Sequence, residues 1–197
     1  MQKYKFTGIT KEVYGRTLNQ IVCVTTFASI KSGEIGGYIE KEANLSQDGN
    51  AWVCGNAEVY GNAKVYGNAW VCEDAKVCGD AEVCEDAEVY GNAEVCGNAW
   101  VCGNAKVCGE AILRRGFTEK VTDYIVIGPQ GTRSSFATFH LHSKTVCTGC
   151  FVGNLNEFKK AVYKTHNPDQ GRVTFNNQYQ RVIRVFEFLQ EQDKDAQ

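Results

Sequence analysis

The sequence has no long hydrophobic run. Its longest apolar stretches, such as Ile125 to Ile127, are far too short to cross a bilayer, although 43% of the 197 residues are hydrophobic. A preponderance of one charge is missing too. Basic residues number 21 against 23 acidic ones, a formal net charge of -2, and 22% charged residues alongside that hydrophobic fraction exclude a disordered chain. Met1 to Lys11 holds no apolar core of a signal peptide. A cytoplasmic protein without membrane association is therefore expected, in a compartment that keeps thiols reduced. Proline (two), methionine (one) and histidine (three) are scarce, whereas ten cysteines in a chain of one or two small domains would ordinarily suggest a disulfide framework or a metal site.

The spacing of those cysteines gives a different answer. Cys72, Cys78 and Cys84 are six apart, as are Cys96, Cys102 and Cys108, and Cys54 falls on the same grid. From Ala51 to Ala111 valine recurs every six residues, ten times from Val53 to Val107, with alanine two places before each. The unit is Ala-x-Val-(Cys/Tyr)-(Gly/Glu)-(Asn/Asp). Alternation puts alanine and valine on one face of a short strand, and the Gly-Asn or Glu-Asp pair turns the chain. This hexad resembles that of left-handed parallel β-helices, triangular prisms in which three hexads make one coil of eighteen residues.

An eighteen-residue register places Glu58, Lys76 and Glu94 in one outward column, Lys64, Glu82 and Trp100 in a second, and Trp52, Trp70, Glu88 and Lys106 in a third. Neighbouring charges in each column are then opposite, whereas a six-residue offset would stack Glu82, Glu88 and Glu94. The same register stacks the cysteines about 4.8 Å apart along the faces. Straight columns do not supply the converging ligands of a thiolate metal site, so no metal is expected, and the thiols read as reduced packing residues interchangeable with Tyr60, Tyr66 and Tyr90.

The expected fold is mainly β: an N-terminal β cap over residues 1–36, a left-handed β-helix of about four coils over 37–113, and a small α+β domain over 114–197. Ile39, Ala43 and Leu45 form a degenerate first turn, followed by a short insertion at Asp48 to Asn50. Short strands are expected at Tyr4 to Thr7 and Ile21 to Phe27 about a turn at Gly15. In the last domain, strands are expected at Val121 to Ile127, Phe136 to Leu141 and Thr145 to Val152, with Gly128 to Gly131 as a turn. Asn154 with Glu157 caps a helix, and a final helix runs from about Asn177 to Glu191. Residues 51–112 carry ten acids and three lysines, net -7, while residues 113–197 carry eight acids and twelve bases, net +4. Neither region is charged enough to predict binding to duplex nucleic acid.

Tyr4-Lys5-Phe6-Thr7-Gly8, Gly36-Gly37-Tyr38-Ile39-Glu40, the Gly-Asn-Ala-x-Val hexads, Gly128-Pro129-x-Gly131-Thr132-Arg133, Gly149-Cys150-Phe151-x-Gly153 and Thr165-His166 together resemble a family of bacteriophage and prophage hexapeptide-repeat proteins, along essentially the whole chain. The resemblance implies a setting in the host cell cytoplasm and an accessory role such as counter-defence; it implies no particular chemistry.

Hexapeptide-repeat acyltransferases and carbonic anhydrases need histidines on or beside the prism, but His140, His142 and His166 all lie outside it. That argues against an enzyme and against a cofactor. Cys150 with His166 is the alternative nucleophile and base, and a virion or assembly protein is the other alternative. Two binding features stand out. Gly131, Thr132, Arg133, Ser134 and Ser135, with Lys144 and His166, would make a pocket for a small anionic ligand such as a nucleotide. Trp52, Trp70 and Tyr90 give the least polar prism face, an interface for a homo-oligomer, most simply a trimer. The expectation is a non-enzymatic scaffold that sequesters a nucleotide-type signal or blocks a host immune protein.

Overall fold

The computed structural model describes residues 2–120, 123–130, 135–149, 151–167 and 173–195. An antiparallel hairpin, β1 (Tyr4–Val13) and β2 (Arg16–Cys23), turns at Tyr14 and Gly15, so β1 runs on past its expected end at Thr7, while β2 begins before Ile21 and stops at Cys23, short of Phe27. β2 pairs with β3 (Ile35–Ile39), and β3 in turn runs parallel to the repeat strands. Repeat strands β4 to β10 are two residues each: Trp52–Val53, Glu58–Val59, Lys64–Val65, Trp70–Val71, Lys76–Val77, Glu82–Val83 and Glu88–Val89. β11 (Glu94–Val101) bends across a corner, followed by β12 (Lys106–Val107) and β13 (Ile112–Thr118).

The result is a mainly β solenoid of about four stacked parallel coils in the eighteen-residue register. Glu58 lies over Lys76 and Lys76 over Glu94, Lys64 over Glu82 and Glu82 over Trp100, and Trp52, Trp70, Glu88 and Lys106 form the third column. Ile39 faces Val59 and Leu45 faces Val65, twenty residues on, so the first coil carries two extra residues where the insertion was expected. Every repeat alanine and valine from Ala51 to Val107 is buried. Each valine contributes roughly 1.5–3 kcal/mol in this interior. Backbone bonds between coils satisfy the ladder, as from Lys76 N to Ala93 O at 2.9 Å. Lys64–Glu82 and Lys106–Glu88 pair at 3.3 and 3.0 Å, but Glu58 goes to Lys11 of β1 at 2.8 Å.

Two details of the coils depart from expectation. The thiol columns are not wholly reduced: Cys54 is disulfide-bonded to Cys72 and Cys78 to Cys96. In-register parallel strands bring these Cα atoms to 4.7 and 4.6 Å with both side chains pointing the same way, within the range a disulfide spans. Cys23, Cys84, Cys102, Cys108 and Cys147 are free. At two corners Glu73 and Glu85 replace glycine at φ +62° and +59°, and each carboxylate accepts the N–H of the glycine one coil on, Gly91 or Gly103. That bond offsets the strain of a left-handed non-glycine residue.

Beyond the solenoid, β14 (Tyr124–Gln130), β15 (Ser135–His140), β16 (Thr145–Thr148) and β17 (Phe151–Asn154) form a four-stranded antiparallel sheet in sequential order. β14 runs through the expected turn at Gly128 to Gln130, and the expected Thr145 to Val152 strand is broken at Gly149, where φ is +52°. Helices α1 (Leu155–Thr165) and α2 (Val173–Asp195) pack on the sheet around Phe139, Phe158 and Phe186. Asn154 and Glu157 make the expected reciprocal cap of α1. No helix among the described residues is long and apolar enough to cross a membrane.

Candidate functional site

The polar chemistry collects where the last coil meets the C-terminal sheet. β13 pairs with β11 first at Glu94↔Ile112 and Val95↔Leu113, eighteen residues apart, then at Asn98↔Arg115, Ala99↔Gly116, Trp100↔Phe117 and Val101↔Thr118, seventeen apart. One residue is missing from the last corner. Gly116-Phe117-Thr118 occupies the Ala-x-Val slots of a further hexad, and Arg114-Arg115 stands where a three-residue turn would be. The coil therefore continues to Thr118, past the residue 113 at which the repeat motif stops.

The shortened corner leaves a cleft of about 590 Å³ lined by Gly97, Asn98, Arg114, Arg115, Gly116 and Val152. Gly97 must be glycine there, because a Cβ would stand 2.5 Å from the Arg114 carbonyl. Arg114 donates from Nη2 to Gly149 O at 2.9 Å and lies 3.7 Å from the Glu94 carboxylate, while its enclosed Nε meets no acceptor. Arg115 is exposed and has no hydrogen-bond or ion-pair partner among the described residues. Cys147, buried behind them, has its thiol pushed up by that burial.

On the far side of Gly116, His140 joins the sheet to the coil. Its Nδ1 receives the Ser143 N–H at 3.2 Å and faces Ser143 Oγ at 2.8 Å; its Nε2 lies 2.7 Å from Thr118 Oγ1. A backbone N–H can only donate, so Nδ1 is the acceptor and Nε2 carries the proton toward Thr118. Burial first, then His142, pulls the His140 pKa down, keeping the ring neutral. The neighbouring His142 pairs with Asp123 at 3.1 Å. Burial alone would raise Asp123, but the N–H groups of Lys120 and Glu119, at 2.8 and 2.7 Å, together with His142 outweigh it and hold the carboxyl low. Ser143 and His140 have the form of a nucleophile and base. The far nitrogen of the ring bonds a hydroxyl, and the Asp123 carboxylate acts on the ring only through space. The arrangement fastens two elements together.

Most of the expected anion-site residues fall where the structure gives no description. Gly131, Thr132, Arg133, Ser134 and Cys150 lie outside the described residues. Ser135 opens β15, and Lys144 follows the opposite end of that strand, at φ +51°, across roughly 17 Å of extended chain. Strand direction thus separates the two. His166 ends α1, buried, its ring stacked on Tyr179 at 5.0 Å and its carbonyl accepting Asn176 Nδ2 at 3.0 Å. It joins two helices. Trp52 is fully buried beneath Phe27, edge-to-face at 5.6 Å, so it cannot belong to an exposed interface; a covering segment distant in sequence escapes a column-by-column reading. Trp70 and Tyr90 remain half-buried in a shallow cleft of about 360 Å³ with Cys72, Glu73 and Glu88. Asn98, Arg114 and Arg115 were not singled out by the sequence, although Arg-Arg in place of Cys-Gly-Asn was a visible break in the hexad. Among the described residues no group of three or more histidine, cysteine, aspartate or glutamate side chains could hold a metal ion. In comparisons with known proteins, no family model and no curated protein matches the chain.

Proposed function

We propose that the protein is a non-enzymatic binding scaffold, a stiff solenoid that presents its C-terminal sheet and helices to a small anionic ligand or a host protein. One observation carries this reading: the repeat breaks at Arg114 and Arg115, where Arg114 Nε is enclosed without an acceptor and the exposed Arg115 has no ion-pair partner among the described residues. The hexad supports left-handed winding, and Tyr4, Ile21 and Phe27 packed on the first coil support a capping role for the N-terminal sheet. The resemblance to bacteriophage repeat proteins supports an accessory, counter-defence role in the host cytoplasm, by sequestering a nucleotide-type signal or blocking an immune protein. Self-association, as a trimer, would use the face around Trp70 and Tyr90.

The test is to denature the protein purified from infected cells and identify any released small molecule by mass spectrometry, with a calorimetric screen of nucleotides and a pull-down alongside. A co-purified or titratable nucleotide, or a host protein captured specifically, is expected. No ligand in any arm would overturn the reading. Light scattering should give three times the 21.8 kDa chain mass, and a monomer would remove the trimer.

A further inference from the structure

We infer that the cleft at the shortened corner of the last coil is a binding site for the phosphoryl groups of a small ligand, held between the guanidinium groups of Arg114 and Arg115 with Asn98 at the rim. This rests on the scaffold reading and gives it a site. Through the regular coils each turn is covered by the turn of the next coil, as Asn62 N bonds to Gly79 O at 2.8 Å and Asn62 Nδ2 to Asp80 Oδ1 at 3.0 Å. At Gly97 and Asn98 that cover is one residue short, and two consecutive arginines fill the place of the turn.

Three features suit an anion. Arg114 is oriented by Gly149 O, yet its Nε–H is enclosed without an acceptor, a costly arrangement for a charged group unless something accepts the bond. Arg115 adds a second fork of donors, and paired forks match phosphate oxygens in a way that lysine does not. The cleft, at about 590 Å³, lies within the range of small-ligand sites and exceeds what a single inorganic ion needs. Glu94, 3.7 Å from Arg114, is the resident carboxylate that an incoming phosphate would compete with or displace. Gly97 and Gly116 cannot be replaced by larger residues, since added Cβ atoms would strike Arg114 O at 2.5 Å and Ser143 Cβ at 2.7 Å, so the walls keep their shape.

Isothermal titration of the full chain with inorganic pyrophosphate and, separately, ATP tests the assignment. Both should bind, ATP more tightly, with affinity falling as salt rises. Arg115→Ala should weaken binding about tenfold or more, and Arg115→Glu should abolish it. Arg115 is exposed, so circular dichroism of these variants should match the parent; Arg181→Ala, on an exposed position of α2, should bind as the parent does. If the parent binds and both Arg115 variants bind equally well, the seam site is overturned while the scaffold reading stands. If the parent binds neither anion, the site is overturned, and ligand identification and pull-down decide the scaffold reading by themselves.

Discussion

At the N-terminal end of the solenoid Tyr4 sits among Ile21, Trp52 and the first repeat alanines, its hydroxyl donating to Leu45 O at 2.7 Å; at the other end Tyr124 donates to Lys106 O at 2.9 Å in a seam shared with Thr118, Thr138 and His140. Both phenols have raised pKa values caused first by burial, Tyr124 to about 12. Their neighbours differ in kind. The first end is an aromatic and aliphatic packing with one buried cation, Lys3, which bonds Ala51 O at 2.9 Å and whose pKa burial pulls down to about 8. The second end is a set of hydroxyls around an imidazole, whose bonds to Thr118 and Ser143 depend on where the ring proton sits. Both ends therefore titrate, the first through Lys3 in the alkaline range above about 8 and the second through His140 at mildly acid pH.

The largest expected effect is at the apolar end. Trp52→Ala should cost about 3–5 kcal/mol in denaturant unfolding of the full chain, whereas a loss under about 1 kcal/mol would mean that Phe27 does not cover it. Next come the coils between the two ends. Each disulfide closes a loop of eighteen residues, so reducing either should cost roughly 3 kcal/mol, read as a lowered Tm with reductant; an unchanged Tm would show that the bridges do not form. At the polar end Thr118→Val keeps the shape but leaves the His140 Nε2–H without an acceptor, at about 1–3 kcal/mol. If Thr118→Val were neutral, the seam would be held by packing, like the first end.

The smallest effect separates the two ends by pH. The folded ring of His140 refuses a proton that the unfolded chain takes up near its ordinary value of 6.5, so stability is complete above that pH and declines as pH falls through it toward the lower folded value. His140→Gln should flatten this slope below about pH 6.5. A slope that persists in the variant would place the acid sensitivity elsewhere.

Much of the solenoid was legible because its signal is periodic. Ten valines at one spacing gave the hexad, the resemblance to β-helices with the opposite charges of its columns gave the eighteen-residue coil that stacks Lys64 on Glu82, and the capping box at Asn154 and Glu157 located α1. What escaped was non-periodic or non-local. Gly116-Phe117-Thr118 matches no residue of Ala-x-Val except by size and slot, so the last coil is visible only through its pairing with β11. The burial of Trp52 depends on Phe27, twenty-five residues away, and the separation of Ser135 from Lys144 depends on strand direction. The pairing of Cys54 with Cys72 was geometrically open in the sequence, and the expected compartment argued against it.

Those two bridges also give the chain a mechanical character. Cys54–Cys72 and Cys78–Cys96 each tie one full coil into a covalent ring. Stretched from its two ends, the oxidised chain would stop short of its full contour length by about one extended coil per bridge, roughly 60 Å for each set of eighteen residues. Under tension the solenoid is thus a rope with two knots, whose released length reports the oxidation state of its thiols directly.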